Sequence, residues 1–209
     1  MAELLPLFLH LRGRRVLLVG AGPVGASKLT QLLAAGADVR VIAPDVHPDV
    51  ASAPVQIERR AFVPGDLDDA WLVVAAATPA VNRQVADAAE ARRIFVNAVD
   101  DPPNATAYLG GVVRRDGVTL AISTRGEAPA IAGLLREGLD ALLPRELASW
   151  MDAARAARAG WRADGVPMEA RRPLLLKALN RLYARREGAA AARELVGVGV
   201  RVSRGTTEE

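Results

Sequence analysis

The sequence contains no cysteine. That excludes disulfides and thiolate metal sites, and points to a cytoplasmic protein. Histidine is nearly absent too: only His10 and His47 occur, so no imidazole cage can form, and a permanent metal is not expected. Aromatic residues make up 4% of the chain. No apolar run is long enough to cross a bilayer without an Arg, Gly or Pro, so no membrane partner is expected. The opening MAELLPLFLHLRGRR puts its basic residues after its apolar ones, the reverse of a secretory signal.

The 209 residues are 51% hydrophobic with mean hydropathy +0.14, the balance of a folded chain with one sizeable core and a smaller appendage. The net charge of +3 is unevenly spread. From Pro144 onward 13 Arg and Lys face 8 Asp and Glu, a net of +5, while Met1 to Leu143 carries 14 against 16, a net of −2. A basic C-terminal third suits an anionic partner. Nucleic acid is not expected, because aromatics are scarce there and no binding motif appears. Arg-rich solvated helix faces would give the same count.

The first hundred residues alternate strand and helix. RRVLLVG, ADVRVIA, VQIERR, AWLVVAAA and RIFVNAV read as strands; Pro23 to Ala35 and PAVNRQVADAAEARR read as helices. That alternation predicts an α/β fold, a Rossmann-like parallel sheet with right-handed crossovers. AYLGGVVRRDGVTLAIST then reads as a hairpin turning at Asp-Gly. GEAPAIAGLLREGLDALLP reads as a helix with Leu134, Leu135, Leu139 and Leu142 on one face. Everything from Arg145 is helical text broken near Asp164–Pro167, and the tail after Gly188 has no clear element. Three parts follow: a nucleotide-binding domain over 1–110, a hairpin-plus-helix segment over 111–144, and a helical domain over 145–209.

VLLVGAGPVGASKL, directly after a strand and opening a helix, carries a GxGxxG turn at Gly20, Gly22 and Gly25. The first glycine permits the tight turn, the second lets a pyrophosphate approach, and the third packs helix on strand. The adenosine ribose of a dinucleotide usually meets an acid at the end of the second strand. Here ADVRVIAPDVHPD runs into Ala43 and Pro44, and the first acid is Asp45, two residues late. No Arg or Lys follows to hold a 2′-phosphate, and Asp49 would repel one, so NAD is expected over NADP. Thr78, ending the fourth strand, faces the cofactor crevice or caps the next helix. NAVDDPPNATAY puts Asn97, Asp100 and Asp101 at the carboxyl end of the fifth strand, where ligands gather in open α/β sheets. A carboxylate there suits proton transfer, and Asp-Asp-Pro also suits a plain turn.

At LPLFLHLRGRRVLLVGAGPVGASK, AATPAVNRQVADAAEARRIFVNAVDDP and LAISTRGEAPAIAGLLREGLDALLP, the chain resembles the precorrin-2 dehydrogenase / sirohydrochlorin ferrochelatase family. This module forms the N-terminal part of siroheme synthases and also occurs alone. The resemblance covers Leu5 to Pro144 in register. It implies an NAD-dependent oxidation of precorrin-2 to sirohydrochlorin, followed in many members by Fe²⁺ insertion to give siroheme. By the same likeness the cofactor is met by Pro23, Val24, Pro44 and Asp45, and the family's key aspartate falls on Asp100, which could also hold the metal transiently. Substrate contacts are expected from Asn97, Ser123, Thr124 and Gly126. Thr124 stands where some siroheme synthases carry a phosphorylated serine. The likeness also implies a homodimer joined through Gly111 to Pro144.

No methyltransferase-like segment follows, so the standalone module is expected. Arg155, Arg158, Arg162 and Arg171 are candidate partners for the carboxylates of a tetrapyrrole. Two other readings stay open: an NAD-sensing regulatory domain without chemistry, and a dehydrogenase lacking the chelatase step.

Overall fold

Short runs of Val, Leu and Ile become the buried strands of one parallel sheet. The computed structural model describes residues 3–180. Strands β1 (Arg15–Ala21), β2 (Asp38–Val46), β3 (Gln56–Glu58), β4 (Leu72–Ala75) and β5 (Phe95–Ala98) lie in the order β3-β2-β1-β4-β5, every pairing parallel. The chain winds outward from β1 to β3, then returns to the other side of β1 with β4. The crevice of such a sheet opens at this reversal, between β1 and β4.

Helices cover both faces, so the strands are buried on both sides and read as continuous apolar runs. Helix α1 (Pro23–Ala34) and the one-turn α2 (Pro48–Ala51) close a core of Val16, Leu18, Leu29, Leu32, Val41 and Val50. On the other face α3 (Pro79–Glu90) closes Leu17, Val19, Leu67, Val73, Val85 and Ala89. Between β2 and β4 the chain is tied by charge. Asp66 is only 4% exposed; it accepts from the Arg60 guanidinium at 2.8 Å, from Arg40 at 3.2 Å and from the Val63 N–H at 2.9 Å. Glu58 also accepts from both guanidinium groups, Arg40 and Arg60, each at 2.7 Å.

The second strand runs further than the sequence suggests. It continues through Val46, because Val46 pairs again with Ala21 and the His47 N–H reaches the Ala21 carbonyl at 2.8 Å. Between the pairs Val19↔Ile42 and Ala21↔Val46, three residues of β2 face the single Gly20 of β1. Ala43 to Asp45 therefore bow out of register at the crevice, and Pro44 and Asp45 are exposed.

Beyond the sheet lie the hairpin strands β6 (Gly111–Arg115) and β7 (Val118–Ile122), then α4 (Pro129–Leu142), α5 (Leu147–Ala163), and a helix from Met168 to the last described residue. Asp116 and Gly117 both have positive φ, 50° and 83°, the twist a two-residue hairpin needs. The described chain divides into two compact units. One holds the sheet domain up to Val112 with Ala121–Gly138; the other holds Val113–Leu120 and the chain from Leu139 onward. In the second unit Arg115 joins Asp140 at 2.6 Å and the Leu143 carbonyl at 3.1 Å, fixing the hairpin tip to the end of α4. The tail expected after Gly188 lies outside the described residues.

Candidate functional site

The glycine turn has the form its spacing predicts. Gly20 has φ 94°, and a Cβ there would overlap the Ala76 carbonyl oxygen at the end of β4. Gly25 packs in the same way on the Gly20 carbonyl. A Cβ on Gly22 would meet nothing within 4 Å, so the middle glycine faces open space. Gly22 is the N-cap of α1 and Pro23 its first residue, leaving the N–H groups of Val24 and Gly25 in the unpaired first turn. A pyrophosphate fits this cradle: an open approach, free N–H groups and the positive end of a helix dipole.

Beside it, the bowed segment of β2 presents Pro44 and Asp45. His47 accepts from the Asp49 N–H at 3.3 Å as the cap of α2, and its Nδ1 lies 3.6 Å from the Asp49 carboxylate. Across the reversal Thr78 takes the N-cap position of α3, yet its hydroxyl makes no capping bond. Asn82, 2% exposed, reaches back instead to the chain entering the helix, its Oδ1 accepting from the Ala77 N–H at 3.1 Å. This leaves the exposed Thr78 side chain unspent at the carboxyl end of β4.

At the end of β5 the two aspartates divide the work. Asp101 builds the turn: it accepts from the Asn104 side chain at 2.8 Å and from the Asn104 N–H at 3.1 Å. Asp100 is exposed in the left-handed region, φ 54°, and its carboxylate has no hydrogen bond or ion pair among the described residues. Asn97 is 6% exposed and donates to the Ala107 carbonyl at 3.0 Å, while its Oδ1 is buried without a partner. An orphaned buried acceptor costs about 1–3 kcal/mol, a cost that a ligand donating to it would remove.

Strand alternation turns Asn97 away from Val96 and Ala98, toward the α1 layer. From that layer comes a residue that the sequence alone does not single out. Lys28 is half-buried and donates to the Leu109 carbonyl at 3.5 Å. Burial pulls its pKa down, and the Asp100 charge opposes that pull. Its position, three residues past the last glycine of the turn and on the face of α1 that meets the sheet, is the signal that could have found it.

The loop from Ser123 to Gly126 comes to the same place. Gly126 has φ 77°, and the place a Cβ would take lies against Pro102 and Tyr108, close to the turn after Asp100. Ser123 Oγ accepts from the Arg125 N–H at 3.2 Å and Thr124 Oγ1 from the Ala128 N–H at 3.3 Å, so both hydroxyls shape the loop entering α4 while keeping their own protons to donate. The sheet unit therefore gathers the glycine turn, Pro44, Asp45, Thr78, Asn97, Asp100 and the Ser123–Gly126 loop. The arginines expected to meet carboxylates lie in the other unit. There Arg155 pairs with Asp152 at 3.1 Å, and Arg171 closes its own turn through the Val166 carbonyl at 2.9 and 3.0 Å. No group of three or more acidic or histidine side chains able to hold a metal occurs among the described residues.

A family model described as "Putative NAD(P)-binding" matches residues 7–111, half of the chain. The chain belongs to this NAD(P)-binding family. The dinucleotide cofactor expected from the glycine turn is borne out at that level. Siroheme synthase 1 of Cronobacter sakazakii is 41% identical over 161 residues, 75% of this chain and 34% of the relative. The siroheme synthase of Zymomonas mobilis is 35% identical over 187 residues, 87% of this chain and 40% of the relative. The chain thus spans well under half the length of these curated relatives. Among solved structures, "SirC, precorrin-2 dehydrogenase" superposes with TM-score 0.64 at 23% identity, covering 83% of this chain and 88% of that one. That likeness carries the fold, and the expected Rossmann-like sheet with a small helical part is borne out. The resemblance read from the sequence points to the same relatives. Among the described residues no helix is long and apolar enough to cross a membrane.

Proposed function

We propose that this chain oxidises precorrin-2 to sirohydrochlorin, with NAD as hydride acceptor, in the route to siroheme. The observation that carries the reading is the contrast at the end of β5: one aspartate spent on the turn, and Asp100 exposed and unpaired beside the buried, unsatisfied Oδ1 of Asn97. A plain turn would need neither. When bound, the nicotinamide supplies the hydride acceptor. Gly20, Gly22, Pro23, Val24 and Gly25 cradle the pyrophosphate, and Pro44 and Asp45 meet the adenosine ribose. With no base after β2 and with Asp49 close by, a 2′-phosphate is disfavoured, so the cofactor is NAD. Thr78 lines the cofactor crevice.

Oxidation of the macrocycle removes one hydride and one proton. Asp100 is the catalytic base that takes the proton, and Asn97, Ser123, Thr124 and Gly126 bind the substrate around it. Once that proton has passed to water, the carboxylate could take the two pyrrole protons displaced by Fe²⁺ one after the other, releasing each to solvent, so the same crevice would serve a chelatase step, with iron as substrate. A sensor domain that binds NAD without chemistry has no use for Asp100.

We also assign a homodimer and a cytoplasmic location. The dimer reading rests on α4, where Ile131, Leu134, Leu135 and Leu142 are 48–79% exposed in the single chain. Large apolar faces of this kind mark contact surfaces.

The test is to mix the protein with precorrin-2 and NAD, following NADH and the macrocycle absorbance together. Both should change in step. NADH-independent spectra, or no change at all, would remove the dehydrogenase reading. Adding Fe²⁺ after oxidation reads the chelatase step separately.

A further inference from the structure

We infer that Lys28 is a substrate-binding residue, one that takes a carboxylate of the anionic macrocycle beside Asp100. This rests on the function proposed above and deepens it. An ammonium has three donors to satisfy. Lys28 spends one, on the Leu109 carbonyl at the long end of hydrogen-bond range, 3.5 Å, and no other partner occurs among the described residues. Its side chain is half-buried, so water serves the remaining donors poorly.

Asn97 and Lys28 reach the same short stretch of backbone, Asn97 donating to the Ala107 carbonyl and Lys28 to the Leu109 carbonyl, and the Asn97 Oδ1 stays unpaired. Lys28 feels the Asp100 charge, yet the two form no direct ion pair. Both charges therefore remain available to a third group.

The chemistry of the substrate asks for such a cation. A macrocycle bearing many carboxylates must come up against a carboxylate base, and like charges repel. A lysine at the edge of that base offsets the repulsion and, with three rotatable donors, can follow a flexible side-chain carboxylate. Lys28 selects the orientation in which one acidic side chain lies over α1 and the oxidised carbon faces Asp100.

The experiment compares wild type with Lys28→Met, Lys28→Gln and Lys28→Arg, using precorrin-2 at saturating NAD. NAD affinity and the far-ultraviolet spectrum check that each variant is folded. Removing the charge should raise KM for precorrin-2 by ~10-fold or more, the value of a charge-assisted hydrogen bond, with kcat changed far less. Lys28→Arg should recover most of the loss. Added salt should weaken wild type more than Lys28→Met. Wild-type turnover with an unchanged KM in folded Lys28→Met or Lys28→Gln overturns the inference while the proposed function stands. A fall in kcat alone also overturns it. Wild type that fails to oxidise precorrin-2 removes the function, and this role with it.

Discussion

Gly20 and Ala76 meet backbone to backbone at the reversal of the sheet, so closely that a methyl group on Gly20 would enter the Ala76 carbonyl. Gly22, two residues on, faces nothing. The two glycines should therefore fail differently. Gly20→Ala is strained by its φ of 94° as well as by the clash, and should lose more than about 1 kcal/mol in urea denaturation. Gly22→Ala has φ −75° and open space, so it should fold as wild type but bind NAD much more weakly. Equal NAD affinity in Gly22→Ala would show that no pyrophosphate lies there.

The charge cluster around Asp66 is structural and sets the response to acid. Hydrogen bonds from Arg60 hold its carboxyl below the ordinary aspartate range. A depressed folded-state pKa stabilises the fold above the ordinary value and is lost as pH falls through the lowered one. Stability should therefore drop as pH falls below about 4, and Asp66→Asn should flatten that part of the curve. Asp66→Ala leaves two guanidinium groups to share Glu58 and should cost about 3 kcal/mol at neutral pH. A wild-type urea midpoint that does not move across this range would contradict the assignment.

Cofactor choice is a third outcome. NAD should support turnover much faster than NADP, because the segment after β2 proposed to meet the ribose carries two exposed acids, Asp45 and Asp49, and no Arg or Lys. Asp45→Arg should narrow the gap. Equal rates in wild type would remove the argument from these two acids.

The apolar face of α4 predicts association. Sedimentation should give twice the chain mass for wild type, and Leu134→Glu should move the population toward monomer. A wild-type monomer at micromolar concentration would exclude the dimer.

Much of this was legible in the residues. Gly20, Gly22 and Gly25 announced a strand, a turn and a helix, because each has a separate steric reason to lack a side chain. The Asp-Gly of the hairpin announced its turn through the positive φ both residues tolerate. Other features depend on pairings across the sheet. The late Asp45 puzzled the sequence reading because nothing local reveals that three residues of β2 bow past Gly20. Thr78 takes the N-cap position but makes no side-chain cap, while Asn82, four residues on, reaches back to the Ala77 N–H just outside the helix. Lys28 stayed hidden because a lysine on an amphipathic helix reads as solvated until the segment 107–109 is laid across it. Local pattern alone does not separate Asp100 from Asp101; the resemblance singles out Asp100, and the turn shows Asp101 bonded to Asn104.

The most direct measurement is a single turnover of precorrin-2 with excess NAD in wild type and Asp100→Asn. Asp100→Asn keeps the shape and removes the base, so NAD affinity should hold while NADH formation slows ~100-fold or more. NADH appearing at the wild-type rate in Asp100→Asn would mean that the proton leaves by another route, and that this carboxylate is not the base.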